Sequence, residues 1–244
     1  MAETTALSGS RILVAGGGSG IGFAVAQAAR GEGADLTIAS TNPEKLSAAA
    51  DRLGGAGTAR LDITDESAVR DFFDGAGDFD HIVTTAGDWG KGRRGPFAEI
   101  DMADADALFR VRFWGAAILA KHGAAHVRPG GSITLTSGMS AFRPQKGSVM
   151  ATAMAGSIEH LTYGLAVELA PIRVNAVFPG GVATEIFAGL PEEMRKAEEA
   201  RFASQPLPRI AEPAEVAQAY LYAMKAGYTT GQIIKVDGGA QLAG

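Results

Sequence analysis

The run Ile12–Leu13–Val14–Ala15, leading straight into Gly16, Gly17, Gly18, Ser19, Gly20, Ile21 and Gly22, constrains this chain more than any other stretch. Four consecutive apolar residues predict a buried strand. The glycines then permit a sharp turn and a close approach that a side chain would block. Beyond Gly22, the apolar positions Phe23, Val25, Ala26 and Ala29 fit a helix ending at Gly31. Strand, glycine turn and helix N-terminus together make an anion site, where free backbone N–H groups and the positive end of the helix dipole face a pyrophosphate. Glycine loops also serve plain tight turns. The placement here, between a strand and a helix, is what the phosphate-binding mechanism requires.

With 244 residues, 46% of them hydrophobic, the chain can bury one large core. No internal repeat or linker interrupts it, so residues 1–244 read as a single dinucleotide-binding domain. The net charge of −5 supplies no basic field for nucleic acid. The absence of cysteine excludes disulfides, thiolate catalysis and cysteine zinc sites. No apolar run approaches membrane-spanning length, and the first residues, with Glu3 among them, do not resemble a secretory signal. A soluble cytoplasmic protein with no membrane or nucleic-acid partner is the expectation.

Further strands are predicted at Asp35–Ser40, Thr58–Leu61, His81–Val83, Ser132–Thr136, Arg173–Phe178 and Gln232–Val236. Helical patterns alternate with them. Asn42–Pro43 and Thr64–Asp65–Glu66 open two, a long one runs from about Asp101 to Val127, and another runs from Ser148 until Pro171 stops it. A loop with Gly90, Gly92, Gly95 and Pro96 precedes the first long helix. Pro191 to Ala203 is charged enough to read as a solvated helix, and Pro213 starts the last. Such alternation implies an α/β fold: a Rossmann-like, doubly wound sheet of about seven parallel strands with helices on both faces. Ligands of such sheets lie beyond the carboxyl ends of the strands. That rule gathers Gly16 to Gly22, Ser40–Thr41, Asp62, Thr85 to Gly87, Ser137 and Pro179 to Thr184 onto one rim.

On that rim the chain resembles the short-chain dehydrogenases/reductases, nearly end to end. Gly16-x-x-x-Gly20-Ile21-Gly22 matches the family's glycine motif, with Ala15 where threonine is usual. Asp62, with Ile63 beside it, falls where the family sets an aspartate against adenine. Thr84–Thr85–Ala86–Gly87 looks like the family's Asn-Asn-Ala-Gly turn with both asparagines replaced. Arg173 to Val177, then Pro179–Gly180, Val182 and Thr184, resemble the segment that holds the nicotinamide amide, and Asp237–Gly238–Gly239 is also typical. The resemblance implies a nicotinamide cofactor and contacts from Gly16, Gly18, Ser19, Gly20, Ile21, Asp62, Ile63, Thr85, Ala86, Gly87, Pro179, Gly180, Val182 and Thr184. It also implies a homodimer or homotetramer built on the two long helices and the last strand, where the small residues Gly115, Ala116, Gly156 and Ala166 would permit close packing.

The family's catalytic centre is a serine, a Tyr-x-x-x-Lys pair and a helix asparagine. Ser137 matches the serine, and either hydrogen-bonds a substrate oxygen or merely ends a strand. Counting back from Glu159–His160–Leu161–Thr162 puts the pair at Ala151 and Ala155; a slip of one gives Met150 and Met154. Neither register offers a hydroxyl or an amine, and Tyr163 lies too far along to serve. The asparagine position carries Arg112. At helical spacing Arg112 shares an apolar stripe with Leu108, Gly115 and Leu119, and a buried guanidinium needs acceptors for its donors. It is either a structural ion pair or a contact to substrate or cofactor.

The end of strand two shows Ser40, Thr41 and Asn42, with no acid before Glu44. An acid there would accept the ribose 2′-hydroxyl and repel a phosphate. Hydroxyls and an amide favour NADP over NAD. Asp62 could also cap the following helix. Met150 and Met154 read as pocket lining or core, and the four histidines as structural or solvated, with no metal site evident. Arg93, Arg94, Arg143 and Lys146 sit in loops expected near the rim, where an acidic ligand would be welcome. Two functions stay open: a reductase of a small activated carbonyl, imine or enone with a non-standard proton source, or an inactive dinucleotide-binding protein. A fully vestigial site is disfavoured by the retained glycine turn, Asp62 and Thr184.

Overall fold

A computed structural model describes residues 7–87 and 95–243. Glu3, Gly90, Gly92, Arg93 and Arg94 lie outside the described residues. Seven strands form one parallel sheet in the order β3-β2-β1-β4-β5-β6-β7. They are β1 (Arg11–Ala15), β2 (Asp35–Ser40), β3 (Gly57–Arg60), β4 (Phe79–Thr84), β5 (Val127–Thr136), β6 (Arg173–Pro179) and β7 (Ile233–Val236). Between them run α1 (Gly20–Gly31), α2 (Pro43–Arg52), α3 (Glu66–Ala76), α4 (Met102–Phe109), α5 (Ala116–Gly123), α6 (Val149–Glu168), α7 (Glu185–Ala188), α8 (Glu192–Ala203) and α9 (Pro213–Lys225).

Why Ile12 to Ala15 of β1 are all apolar follows from this layering. Ile12 and Val14 face the layer of α1, α2 and α9, while Leu13 and Ala15 face the layer of α3, α5 and α6. A strand covered on both faces reads as a continuous apolar run. Asn42 starts α2 by accepting from the Lys45 amide at 2.9 Å, with Pro43 at the first helical position. Asp65, not Asp62, caps α3, accepting from the Ala68 amide at 3.0 Å. Pro213 opens α9 behind a capping box of Glu212 and Glu215.

Two boundaries differ from expectation. Val127 begins β5 instead of ending a helix, and the short α7 has no counterpart in the predicted elements. The long helix over Asp101 to Val127 is also not uniform. Residues Arg110–Gly115 form a π-helical segment between α4 and α5. Such wider turns insert a residue and re-aim side chains, often at functional sites. Here Leu108, Arg112, Gly115 and Leu119 are all buried. Gly115 is spent inside the chain, since a Cβ there would lie 2.7 Å from Cγ1 of Ile63, and Ala116 is buried as well. Neither is available to a partner subunit. Gly156 has open space over it.

The Arg-Val-Asn stretch of β6 is structural. Arg173 donates to the carbonyls of Ala223 at 2.6 Å and Met224 at 2.7 Å, holding the last turn of α9. Asn175 donates to the Thr229 carbonyl and accepts from the Gln232 amide, which sets β7 beside β6.

Candidate active site

Strand order reverses between β1 and β4, because β2 leaves β1 on one side and β4 joins it on the other. Side by side, the two crossovers leave a crevice at the carboxyl ends of the strands. A cleft of about 940 Å³ opens there, within the range of ligand cavities. Gly16, Gly18, Ser19, Gly20, Ile21, Ser40, Thr41, Asn42, Asp62, Ile63, Thr85, Ala86, Gly87, Arg112, Ser137, Pro179, Gly180, Val182 and Thr184 all line it.

The glycine turn is shaped by close approach. Gly16 has φ +92°, and a Cβ on it would lie 2.6 Å from the Ala86 nitrogen. A Cβ on Gly22 would run into the Gly16 carbonyl oxygen and the Thr85 hydroxyl. Ser19 precedes α1 in extended conformation with no side-chain cap, and the first turn carries no acid. The amides of this helix end are therefore left for a ligand on the cleft side. Thr85 turns its hydroxyl to the Ala15 carbonyl at 3.3 Å, so its side chain braces the turn and its backbone borders the cleft.

At the end of the cleft beyond β2, Asn42 uses its Oδ1 to cap α2 and keeps its amide nitrogen as a donor. Lys45 also lines the cleft and pairs with Glu185 at 2.5 Å, joining α2 to α7 across its mouth. This cation escaped the sequence reading. The available signal was spacing: a residue three past the cap lies on the first helical turn, beside the strand-two end. Asp62 accepts from the Thr64 amide at 2.9 Å and hydroxyl at 2.8 Å, an arrangement that fixes its carboxylate at the rim.

Deeper in, Ser137 is buried and donates to the Ala155 carbonyl at 3.2 Å. Ala151 lines the cleft, while Met154 belongs to the core and Met150 packs against it. The Ala151/Ala155 register is thus the one that meets the cleft. No tyrosine lines it among the described residues. Tyr163 hydrogen-bonds Glu159 on the exposed face of α6. Tyr220 is fully buried behind the site, 2.7 Å from the Thr136 hydroxyl, which itself donates to the Thr84 carbonyl at 2.6 Å. With the Thr136 proton committed there, the phenol is the donor. Burial pushes the phenol well above the usual tyrosine range, which keeps it neutral.

Arg112 is 7% exposed and reaches the cleft from the π-helical segment. Arg143 follows β5 and lines the same end. The charged helix α8 is not merely solvated: Glu198 is 8% exposed and accepts two hydrogen bonds from Arg201, at 2.9 and 2.6 Å. Both line the cleft. Phe202 fixes this helix in place by stacking over Gly181, where any Cβ would overlap its ring. The charge of α8 hid this inward face from a reading based on composition. Histidines play no part in the cleft. His81 bonds Ser132 at 2.9 Å within the sheet, and His122 meets Glu66 at 3.0 Å on the surface.

A family model described as Enoyl-(Acyl carrier protein) reductase matches residues 15–241. The short-chain dehydrogenase/reductase malC of Malbranchea aurantiaca is 36% identical over 255 residues, covering 97% of this chain and 96% of malC. Among solved structures, a small-chain dehydrogenase in complex with NADPH superposes with TM-score 0.84 at 37% identity, covering 97% of this chain and 100% of that one. The MalC reductase/Diels-Alderase superposes with TM-score 0.88 at 34% identity, covering 98% of each chain.

Proposed function

Since the chain belongs to the short-chain dehydrogenase/reductase family, we propose that it is an NADP-dependent oxidoreductase that reduces an activated carbonyl, imine or enone without the family's usual tyrosine and lysine. The observation that carries this reading is the single cleft that joins a phosphate-fitting glycine turn to a floor of Ser137, Ala151 and Arg112. The NADPH held by the similar small-chain dehydrogenase supports the choice of cofactor, as do Ser40, Asn42 and Lys45 at the ribose end.

The residues fit the cofactor. Gly16 and Gly22 leave no room for side chains at the turn, and the uncapped start of α1 offers amides to a diphosphate. Asp62 suits the adenine end, and Pro179 to Thr184 suit the nicotinamide amide. NADPH supplies the hydride. The protein supplies orientation, and near-attack positioning can provide effective molarities of about 10⁵ M or more. A general acid adds only about 10² to 10⁴ in rate. An acceptor that needs little protonation, such as an iminium ion, an activated enone or a quinone, therefore suits a site without a tyrosine.

Ser137, its proton given to the Ala155 carbonyl, keeps acceptor capacity for a water or a donor group of the substrate. That partner delivers the proton. For an enone or quinone acceptor, Arg112, which lines the cleft, supplies fixed positive charge for the oxygen that gathers negative charge on hydride addition. An iminium ion becomes a neutral amine and draws on no such charge. The reading takes the chain as one dinucleotide-binding domain in the cytoplasm, acting as a homodimer or homotetramer through the outer side of α6, where Tyr163 and Val167 are exposed. Among the described residues no helix is long and apolar enough to cross a membrane.

Calorimetry with NADPH and NADH, followed by NADPH oxidation against panels of iminium ions, enones and quinones, tests the reading. NADPH should bind more tightly than NADH and be consumed with at least one class. Binding without turnover on every panel would leave a dinucleotide-binding protein, and no binding would end the proposal.

A further inference from the structure

Helix α9 buries Val216, Ala217, Tyr220, Leu221, Ala223 and Met224. Of these, only Tyr220 carries a hydroxyl. A phenylalanine would fill nearly the same space without a buried polar group that needs a partner. The partner is Thr136 on β5: the phenol meets its hydroxyl at 2.7 Å, and that hydroxyl donates to the Thr84 carbonyl on β4 at 2.6 Å. Thr136 also lines the cleft. A chain of two hydrogen bonds therefore runs from a helix behind the sheet to the rim where ligands sit.

The place of this chain in the sheet gives it a task. The paired register of β4 and β5 ends at Val83 and Thr134, so Thr84 and Thr136 lie past it, at the rim. Each is followed at once by a cleft residue, Thr85 after the one and Ser137 after the other. Thr85 and Ala86 both give their amides to the Ala15 carbonyl, at 2.8 and 3.2 Å, and the Ser137 amide goes to the Val177 carbonyl at 3.1 Å. Backbone bonds thus tie β4 to β1 and β5 to β6 at this edge, and the Thr136 hydroxyl ties the middle pair. We propose that Tyr220 is a positioning residue: by holding the Thr136 hydroxyl on the Thr84 carbonyl, it sets the distance between Thr85–Gly87 and Ser137, where the nicotinamide half of the coenzyme lies. The proposal rests on the reductase reading and adds to it a residue that touches neither coenzyme nor acceptor. Ser40 and Asp62, which follow β2 and β3, lie outside the reach of this clamp, so the adenine half should not sense it.

Calorimetry with NADPH and with adenosine 2′,5′-bisphosphate, which lacks the nicotinamide half, tests the assignment. Thr136→Val should raise the NADPH dissociation constant about tenfold and leave that of the bisphosphate within about twofold. Tyr220→Phe should raise it about threefold, since Thr136 can still donate to Thr84, and Thr136→Ser should stay within about twofold of the native chain. Thermal melts separate positioning from packing. Thr136→Val strands the buried phenol without its acceptor and should lower the melting temperature by about 5 °C. The double variant Tyr220→Phe/Thr136→Val removes the stranded group and should recover most of that loss, while NADPH stays about tenfold weaker. NADPH affinity that is unchanged in Thr136→Val, that falls together with the bisphosphate, or that returns in the double variant along with the melting temperature would overturn the proposal. If Thr136→Val does not fold, Tyr220→Phe set against Thr136→Ser carries the test with the same two ligands. NADPH affinity that merely follows stability sinks this proposal alone, whereas failure of the native chain to bind NADPH sinks the reductase reading and this proposal with it.

Discussion

Gly87, just past β4, lies directly against the guanidinium of Arg112: a Cβ added to the glycine would stand 2.8 Å from the arginine Nε. A residue at the end of a strand and one in a π-helical segment thus share a single volume. Gly87→Ala should push the guanidinium off its position, and Arg112→Met should remove it. Both should lower kcat/KM for the best acceptor by about 10², with the melting temperature of Arg112→Met reported alongside. Unchanged kcat/KM with lowered stability would make Arg112 a structural residue only.

Lys45 tests the ribose end. It is about half exposed and pairs with Glu185, so its removal costs little stability. Lys45→Ala should weaken NADPH by about tenfold and leave NADH within about twofold, since only the former carries a 2′-phosphate for the ammonium group to meet. Equal losses for both coenzymes would assign Lys45 to the mouth of the cleft and not to phosphate selection.

Gly22 tests the turn itself. An added methyl would meet the Gly16 backbone and the Thr85 hydroxyl, neither of which can yield without moving β1 against β4. Gly22→Ala should cost about 3 kcal/mol and lower the melting temperature by about 10 °C. Gly156→Ala, with open space over the glycine, should not destabilise the monomer, and thermal melts of the two variants side by side check the contrast.

His81 predicts an acid limb in the stability profile. Burial, aided by the nearby Arg173, lowers its pKa from 6.5 to about 4. A depressed folded-state pKa means that the unfolded chain binds the extra proton first. The stability tied to neutral His81 is therefore complete above pH 6.5 and is lost progressively as pH falls to about 4, amounting to about 3 kcal/mol. His81→Gln, which can still bond Ser132, should flatten the profile in that window. Glu66 and Glu215, both lowered to about 2 by their cationic partners, would leave the decline below pH 4.5 in place. Chemical denaturation at a series of pH values measures both limbs.

Much of the fold was legible because its signals are local. An apolar run in a strand, a glycine turn and a capped helix are each written within about ten residues, and Asn42–Pro43, Thr64–Asp65–Glu66 and Pro213 opened helices where expected. The rim residues were legible for a related reason: parallel strands bring their carboxyl ends to one edge, so strand order alone collects Gly16, Asp62, Thr85, Ser137 and Pro179. The short α7 and the break at Arg110–Gly115 were not legible, since a π-helical segment keeps the same apolar residues and changes only their rotation.

Residues alone were enough to give a strand–glycine–helix turn and to show that the helix after Ser148 carries no Tyr-x-x-x-Lys spacing. How side chains far apart in the chain share space came from the packing of the layers. It set Arg112 against Gly87, turned Glu198 and Arg201 of a charged helix inward, and committed the Ser137 proton to Ala155. The reason is physical: backbone propensity acts over a few residues, whereas the direction of a charged side chain is settled by which partners and how little water the packed layers leave around it.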